Sequence, residues 1–461
     1  METNNAWSKY SAADKKKIFQ FAEKYRKFIS DNKTERECVA EAVKIAEKKG
    51  YVNLEKIIKE NRKLKAGDKV YAVNMKKSIL LFNIGTAPME DGLNILGAHV
   101  DSPRIDVKQN PVYEDKDLVL FDTHYYGGIK KYQWVARQMA IRGVVALKNG
   151  KVLDINVGDE AGDPVFCITD ILVHLAEKQL KKSGEHVVEG EDLDLLVGSM
   201  PAASGTKDKD TVKKNILSIL KKKYGFEEED FVSAELEIVP AGEARDCGFD
   251  ESMIMGYGHD DRVCSYPSLI AMTESGKLKK TGVCILVDKE EIGSVGATGM
   301  TSRFFENTVA EVMDRAGQYS ELKLRRALTN SKMLSSDVSS AYDPNYPSFF
   351  DVKNTAFLGH GVVFNKFTGV RGKSGSNDAS AEYLGELRSV MDKNKVSYQT
   401  AELGKVDIGG GGTIAYILAT YGMSVIDSGV AVLNMHAPME IISKVDLYEA
   451  LNCYKAFLSN A

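Results

Sequence analysis

The sequence predicts an α/β protein: a doubly wound mixed sheet covered by helices on both faces, with a strand-rich segment inserted into it. Three observations lead there. Short apolar runs such as Leu93-Asn-Ile-Leu-Gly-Ala-His99 and Val283-Cys-Ile-Leu-Val-Asp288 read as buried strands, and they alternate with helical segments. Between about Asp106 and Asp246 the alternation gives way to hairpin-like pairs. The 461 residues, 43% hydrophobic and 27% charged, have an ordinary globular mix and exceed what one core usually organises. The division that follows is a discontinuous main domain, residues 1–105 and 246–461, and an inserted strand-rich domain, residues 106–245.

The elements follow in order. Ile18, Phe21, Ala22, Tyr25, Phe28 and Ile29 recur at helical spacing, and Thr34-Glu-Arg-Glu37 is a capping-box pattern that opens a second helix through Ala46. The run that ends at His99 passes into the polar turn Val100-Asp-Ser-Pro-Arg104. In the insertion, Val144 to Leu153 reads as two short strands joined by an Asn149-Gly150 turn. Asp170 to Lys182, rich in Leu and Ala, reads as a helix, and Ser204 to Lys214 as a polar stretch. Beyond it come the strand Val283 to Asp288, the helix Thr301 to Gln318 and a strand end over Lys332 to Asp337. Helices over Ser380–Lys393 and Thr413–Tyr421, a strand over Val430–Met435 and a closing helix over Val445–Leu458 complete the chain. No internal repeat or low-complexity tract interrupts it.

Composition removes several function classes. A net charge of −4 with both signs interspersed argues against nucleic-acid or anionic-membrane partners. Lys221 to Lys223 reads as a solvated helix face. The start lacks the basic-then-apolar pattern of a secretory signal, and no apolar run reaches the roughly 18 to 20 residues of a membrane span. Cys38, Cys167, Cys247, Cys264, Cys284 and Cys453 are far apart with no C-x-x-C pair, which predicts reduced, mostly buried thiols and a cytoplasmic protein.

Ligands of open α/β sheets bind beyond the carboxyl ends of strands. Polar residues that end or closely follow apolar runs are His99, Asp260, Glu290, Glu291, Asp337 and His436. Imidazoles and carboxylates without a thiolate suit zinc, manganese or cobalt with open positions for water and substrate. One carboxylate shared between two ions, with one histidine on each, is the paired-ion arrangement of aminopeptidases. In Gly97-Ala-His-Val-Asp-Ser-Pro103, His99 would ligate through one ring nitrogen while Asp101 accepts a hydrogen bond from the other. In Asp288-Lys-Glu-Glu-Ile-Gly-Ser294, Glu291 suits a ligand and Glu290 a general base; a solvated acidic turn is the plainer alternative. Asp260-Asp261 supplies a candidate bridging carboxylate, although acidic doublets are more often mere turns. Gly409 to Thr413 lacks the ending of a phosphate loop and reads as a close backbone approach to substrate at a helix start.

G-A-H-V-D-S-P-R, G-H-D-D-R-V-C-S, D-K-E-E-I-G-S, S-S-D-V, L-G-H-G-V-V-F-N-K-F-T-G and N-M-H-A-P, in this order from about residue 80 to 450, resemble the aspartyl aminopeptidase and vacuolar aminopeptidase I family. The resemblance implies a co-catalytic zinc aminopeptidase acting on peptides. His99, Asp260, Glu291, Asp337 and His436 would bind two zinc ions, Asp260 rather than Asp261 bridging them, with Glu290 as general base. It further implies that His174, in Ile171-Leu-Val-His-Leu175, reaches the active site of a neighbouring subunit to contact substrate, or else ligates metal. A substrate-contacting basic residue of the family corresponds to Lys366 or, without a gap, to Asn365. The implied assembly is a homo-oligomer, commonly a tetrahedral dodecamer built from dimers that form through the inserted domain. Aspartyl aminopeptidases carry a histidine three residues after the aspartate ligand; here Ser340 stands there, which leans toward the branch that removes neutral, often aliphatic, residues. The rivals are a dinuclear carboxypeptidase or amide deacylase and, from another class, a non-catalytic assembly protein.

Overall fold

The computed structural model describes residues 4–202 and 209–461; residues 1–3 and residues 204–208 of the polar stretch lie outside the described residues. Two compact units divide the chain. One comprises Met1–Asp101, Ala244–Met435 and Glu440–Ala461, the other Ser102–Glu243 and His436–Met439. The short segment His436–Met439, inside the span read as the main domain, therefore groups with the second unit.

The first unit is mixed α/β. Its nine-stranded sheet has the order Val52–Asn53, Lys69–Asn74, Ser78–Asn83, Gly282–Val287, Asn94–His99, Lys332–Ser335, Ser424–Gly429, Val362–Asn365, Tyr398–Thr400. The four strands from Gly282–Val287 to Ser424–Gly429 in that order are parallel to one another, and the strands on either side of these four run antiparallel to them. Successive side chains of a strand point to opposite faces. Accordingly Ile95, Val283, Ile285, Met333 and Val425 join one apolar cluster, with Phe305, Val309, Leu324 and Leu418 from helices. Leu96, Ala98, Cys284, Leu286, Leu334 and Ile426 join another, with Phe21, Tyr25, Leu269, Leu387 and Tyr454. Burial of both faces is why these strands read as unbroken apolar runs. Gly97 sits in the middle of this sheet because a Cβ there would lie 2.2 Å from Cε of Met333. A second, five-stranded sheet of this unit orders Arg245–Cys247, Met253–Gly256, Glu440–Ser443, Ala431–Leu433 and Ser339–Ser340.

Helices begin where the sequence carries caps. Ser11 accepts from the Asp14 amide at the start of Ala12–Asp31, and Ser380 accepts from the Tyr383 amide at the start of Ala381–Lys393. Thr34 forms the capping box of Glu35–Lys48: the Glu37 amide donates to Thr34 Oγ1 at 3.2 Å, and the Thr34 amide donates to Glu37 Oε2 at 3.0 Å. The closing helix Lys444–Asn460 is mostly buried, and its Asp446 carboxylate accepts the amides of Gly359 and Gly361 at 2.6 and 2.7 Å. The helix expected over Thr413–Tyr421 is shorter, Ala415–Ala419, because the amides of Thr420, Tyr421 and Gly422 bond only three residues back, to the carbonyls of Ile417, Leu418 and Ala419.

The second unit holds a seven-stranded antiparallel sheet in the order Val152–Val157, Met139–Ala146, Ala234–Pro240, Arg104–Asp115, Leu118–Tyr126, Leu195–Gly198, Cys167–Ile168. Its first hairpin turns at Asn149-Gly150, where the Gly150 amide donates to the Leu147 carbonyl at 2.9 Å. The helix expected over Asp170–Lys182 is corrected: only a 3-10 turn, Val173–Leu175, forms, followed by turns. Its apolar residues lack a face to bury, with Leu172, Val173 and Leu175 59%, 65% and 70% exposed. A helix this short draws its stability from burial of one face rather than from propensity. All cysteines are free, with Cys38, Cys264, Cys284 and Cys453 buried. Among the described residues no helix is long and apolar enough to cross a membrane.

Thr34→Ala, which removes one half of the reciprocal cap, is expected to lower unfolding free energy by about 1 kcal/mol in urea or thermal unfolding.

Candidate metal centre

Gly97 lies opposite Ser335 on parallel neighbours, so the chain leaves both strands at the same edge of the sheet. His99 closes the first strand and Asp337 follows the second. Glu290 and Glu291 occupy the 3-10 turn Glu290–Ile292, after the neighbouring strand Gly282–Val287. Asp260 arrives from the smaller sheet, at the opening of His259–Glu274, where Asp260 and Asp261 depart from helical φ/ψ and are joined by a cis peptide bond. The donor atoms of His99, Asp260 and Asp337 lie within 4.8 Å of one another, as do those of His99, Glu290 and Glu291.

His99 organises the group. Its Nδ1 lies 3.0 Å from the main-chain oxygen of Asp101 and 3.3 Å from Oδ1 of the same residue. With the Nδ1 hydrogen directed there, Nε2 presents its lone pair to the other side, where Asp260 Oδ1 stands 3.1 Å away. Asp101, fully buried, also accepts the amides of Glu290 and Glu291, each at 3.2 Å. One carboxylate thus holds both the imidazole and the turn that carries the two glutamates. The doublet divides its work: Asp260 faces the ring, while Asp261 Oδ2 accepts the backbone amide of His99 at 3.3 Å. Asp261 carries a positioning bond that the bare doublet did not reveal.

Electrostatics follow from this crowding. Burial, then the charges of Glu290 and Asp260, hold the Asp337 carboxyl well above its ordinary range. Burial does the same to Asp261, with Asp260 adding to it and His99 opposing. Burial alone would lower the His99 pKa, but hydrogen bonds to Asp101 and Asp260 outweigh it and raise it well above the usual imidazole value. Carboxylates crowd one imidazole here, and a divalent cation of the zinc type that replaced the Nε2 proton would find nitrogen and oxygen donors, Nε2 and Asp260 Oδ1, 3.1 Å apart.

Other expected residues sit as follows. His436 belongs to the second unit, in a left-handed conformation with φ 64°, and its Nδ1 is 2.7 Å from the carbonyl of Gly128. His174 is exposed in the turn Val173–Leu175 of that unit. In the first unit, Asn365 is buried and donates to the Ala401 carbonyl at 2.9 Å, whereas Lys366 is partly exposed and paired with Asp378. Ser340 lies in the small sheet opposite Val432. In the glycine run, a Cβ on Gly410 would fall 2.0 Å from the Gly369 carbonyl oxygen. Thr413, at its end, donates to Asp427 Oδ1 at 2.5 Å.

Known proteins resemble this chain over its whole length. The family model described as aminopeptidase I zinc metalloprotease (M18) matches residues 28–458. A probable M18 family aminopeptidase 1 of Clostridium acetobutylicum is 60% identical over 459 residues, covering 100% of this chain and 98% of that protein. The crystal structure of an M18-family aminopeptidase from Thermotoga maritima superimposes with a TM-score of 0.95 at 41% identity, covering 100% of both chains. The mApe1 dodecamer of the yeast S. cerevisiae shares the fold, with a TM-score of 0.75 at 20% identity over 95% of this chain and 96% of that one.

Asp101→Ala removes the acceptor shared by the imidazole and the glutamate turn. It is expected to weaken zinc binding about 10- to 100-fold, read by competition with a chromogenic chelator.

Proposed function

The chain belongs to the aminopeptidase I (M18) family of zinc metalloproteases, and on that premise we propose that it releases N-terminal residues from peptides by co-catalytic hydrolysis at a two-zinc centre. The observation that carries this reading is the convergence of His99, Asp260, Asp337, Glu290 and Glu291 at strand ends. By the family resemblance, His99, Asp260, Glu291 and Asp337 of the first unit would hold the metal, with His436 as a further ligand and Asp260 as the shared carboxylate. Support for Asp260 over Asp261 comes from its 3.1 Å approach to His99 Nε2. Manganese or cobalt would satisfy the same nitrogen and oxygen donors.

Bound zinc supplies Lewis acidity, which polarises the scissile carbonyl and lowers the pKa of water at the site to about 7. Glu290 takes a proton from the attacking water as its oxygen adds to the carbonyl carbon. It then passes that proton to the leaving amine nitrogen as the C–N bond breaks. Asp101 acts through others: it fixes the His99 ring and keeps the Glu290 backbone in register with it. Lys366 is the substrate-contacting position rather than Asn365, whose amide is already committed to Ala401. The absence of a histidine at Ser340 favours neutral, aliphatic N-terminal residues over acidic ones.

The wider reading follows the same family. The first unit is a doubly wound catalytic domain, and the second an inserted dimerisation domain. Dimers formed through it build a dodecamer, as in the mApe1 dodecamer of yeast. His174 of one subunit then contacts substrate held by its neighbour, which suits its exposure and that of Leu172, Val173 and Leu175 around it. A cytoplasmic location agrees with free cysteines.

Glu290→Gln is expected to lower kcat at least about 100-fold while zinc content stays that of the wild type. Activity within tenfold of wild type would remove Glu290 as the base. A panel of aminoacyl substrates, each free and N-acetylated, tests the reaction class: hydrolysis is expected of the free forms only, and cleavage of the blocked forms would point to a deacylase instead.

A further inference from the structure

We propose that Glu440 is a positioning residue of the metal centre, holding the main chain of Asp260 so that the Asp260 carboxylate faces His99; the inference rests on the reading of Asp260 as a ligand. The Asp260 amide donates to Glu440 Oε2 at 3.0 Å, across 180 residues of sequence. Both residues are buried, Glu440 at 1% exposure and Asp260 at 3%.

The local fold explains why such a tether is needed. Glu440 opens the strand Glu440–Ser443 and is paired with Gly256, the last residue of Met253–Gly256. Between Gly256 and Asp260 the chain leaves the ladder through Gly258, in the left-handed region at φ 76°. Asp260 itself has a ψ of 109°, so its amide lies at a helix opening where the helix supplies no acceptor. A buried amide of this kind requires a partner. A carboxylate gives it a charge-assisted bond, stronger than a neutral one. The preceding residue is pinned from another side, where Tyr25 Oη lies 2.7 Å from His259 Nδ1. The following residue is engaged through Asp261 Oδ2 and the His99 amide. Glu440 thus holds the main-chain amide of Asp260 itself.

Burying a carboxylate is unfavourable unless it is hydrogen-bonded. An ionisable group at this strand start, where the next residues are Ile441 and Ile442, is accounted for by the backbone it holds. The chemical consequence is geometric: a shift of the Asp260 backbone moves Oδ1 away from His99 Nε2, the pair that would share the cation.

The test is zinc titration of the full-length chain against a fluorescent chelator, with thermal melting of the zinc-free protein alongside. Absence of zinc uptake by the wild type would overturn the metal reading itself. Given wild-type uptake, Glu440→Ala is expected to weaken zinc affinity about 10- to 100-fold, as loss of a group that orients a ligand does. Glu440→Gln, whose amide oxygen still accepts the Asp260 amide, should stay within about threefold of wild type. Where Glu440→Ala fails to fold, Glu440→Asp decides, since the shorter side chain withdraws the acceptor and should weaken zinc about tenfold. Zinc affinity unchanged in Glu440→Ala or Glu440→Asp, with only the melting temperature lowered, overturns the role of Glu440. So does a Glu440→Gln loss as large as that of Glu440→Ala, because charge and not the hydrogen bond would then be at work.

Discussion

Negative charge concentrated at one edge of a buried sheet is the constraint under which the first unit is built. Asp260, Asp261, Asp337, Glu290 and Asp101 crowd around His99, and burial together with mutual repulsion pushes Asp337 and Asp261 toward their protonated forms. Like charges this close disfavour ionisation unless a cation offsets them. The folded chain therefore carries, in its own electrostatics, a demand for a divalent ion. Every hydrogen bond around His99 can be read as a way of keeping these groups together at a stated geometry despite that cost.

The apolar scaffold meets this demand by being rigid on both sides. Ile95, Ile285 and Met333 pack against one set of helices, Leu96, Leu286 and Leu334 against the other. A sheet clamped in this manner cannot relax by separating the strand ends that bear His99 and Asp337. Asp101 extends the clamp to the Glu290 turn by accepting its backbone amides, hydrogen bonds that hold this buried carboxylate in place. Packing and electrostatics thus pull in opposite directions at the same edge, and packing prevails because it acts over many more residues.

Much of this was legible in the amino acids, and the reasons differ from residue to residue. The capping box at Thr34 and Glu37 is a local pattern, so the start of the helix it opens could be placed within a residue. Apolar runs ending at His99, Val287 and Ser335 identified buried strands, and the fold brings together the polar residues that end or follow them. What escaped was non-local. The division of labour between Asp260 and Asp261 depends on backbone geometry that no doublet reveals. Glu440 sits in an apolar strand and announces nothing until the small sheet brings it to Asp260. Asp170 to Lys182 misled for the opposite reason: its leucines keep helical spacing, yet nothing in its own unit covers them.

The central strand order has a consequence for how the protein is made. Asn94–His99 has for neighbours Gly282–Val287 and Lys332–Ser335, both synthesised long after it. On the ribosome, this apolar strand emerges with both edges unsatisfied, and more than half of the chain has been made before either partner exists. Such edges invite pairing with other chains. The same delay means that His99 meets Glu290, Glu291 and Asp337 only once the strand Lys332–Ser335 and the residues after it have been made.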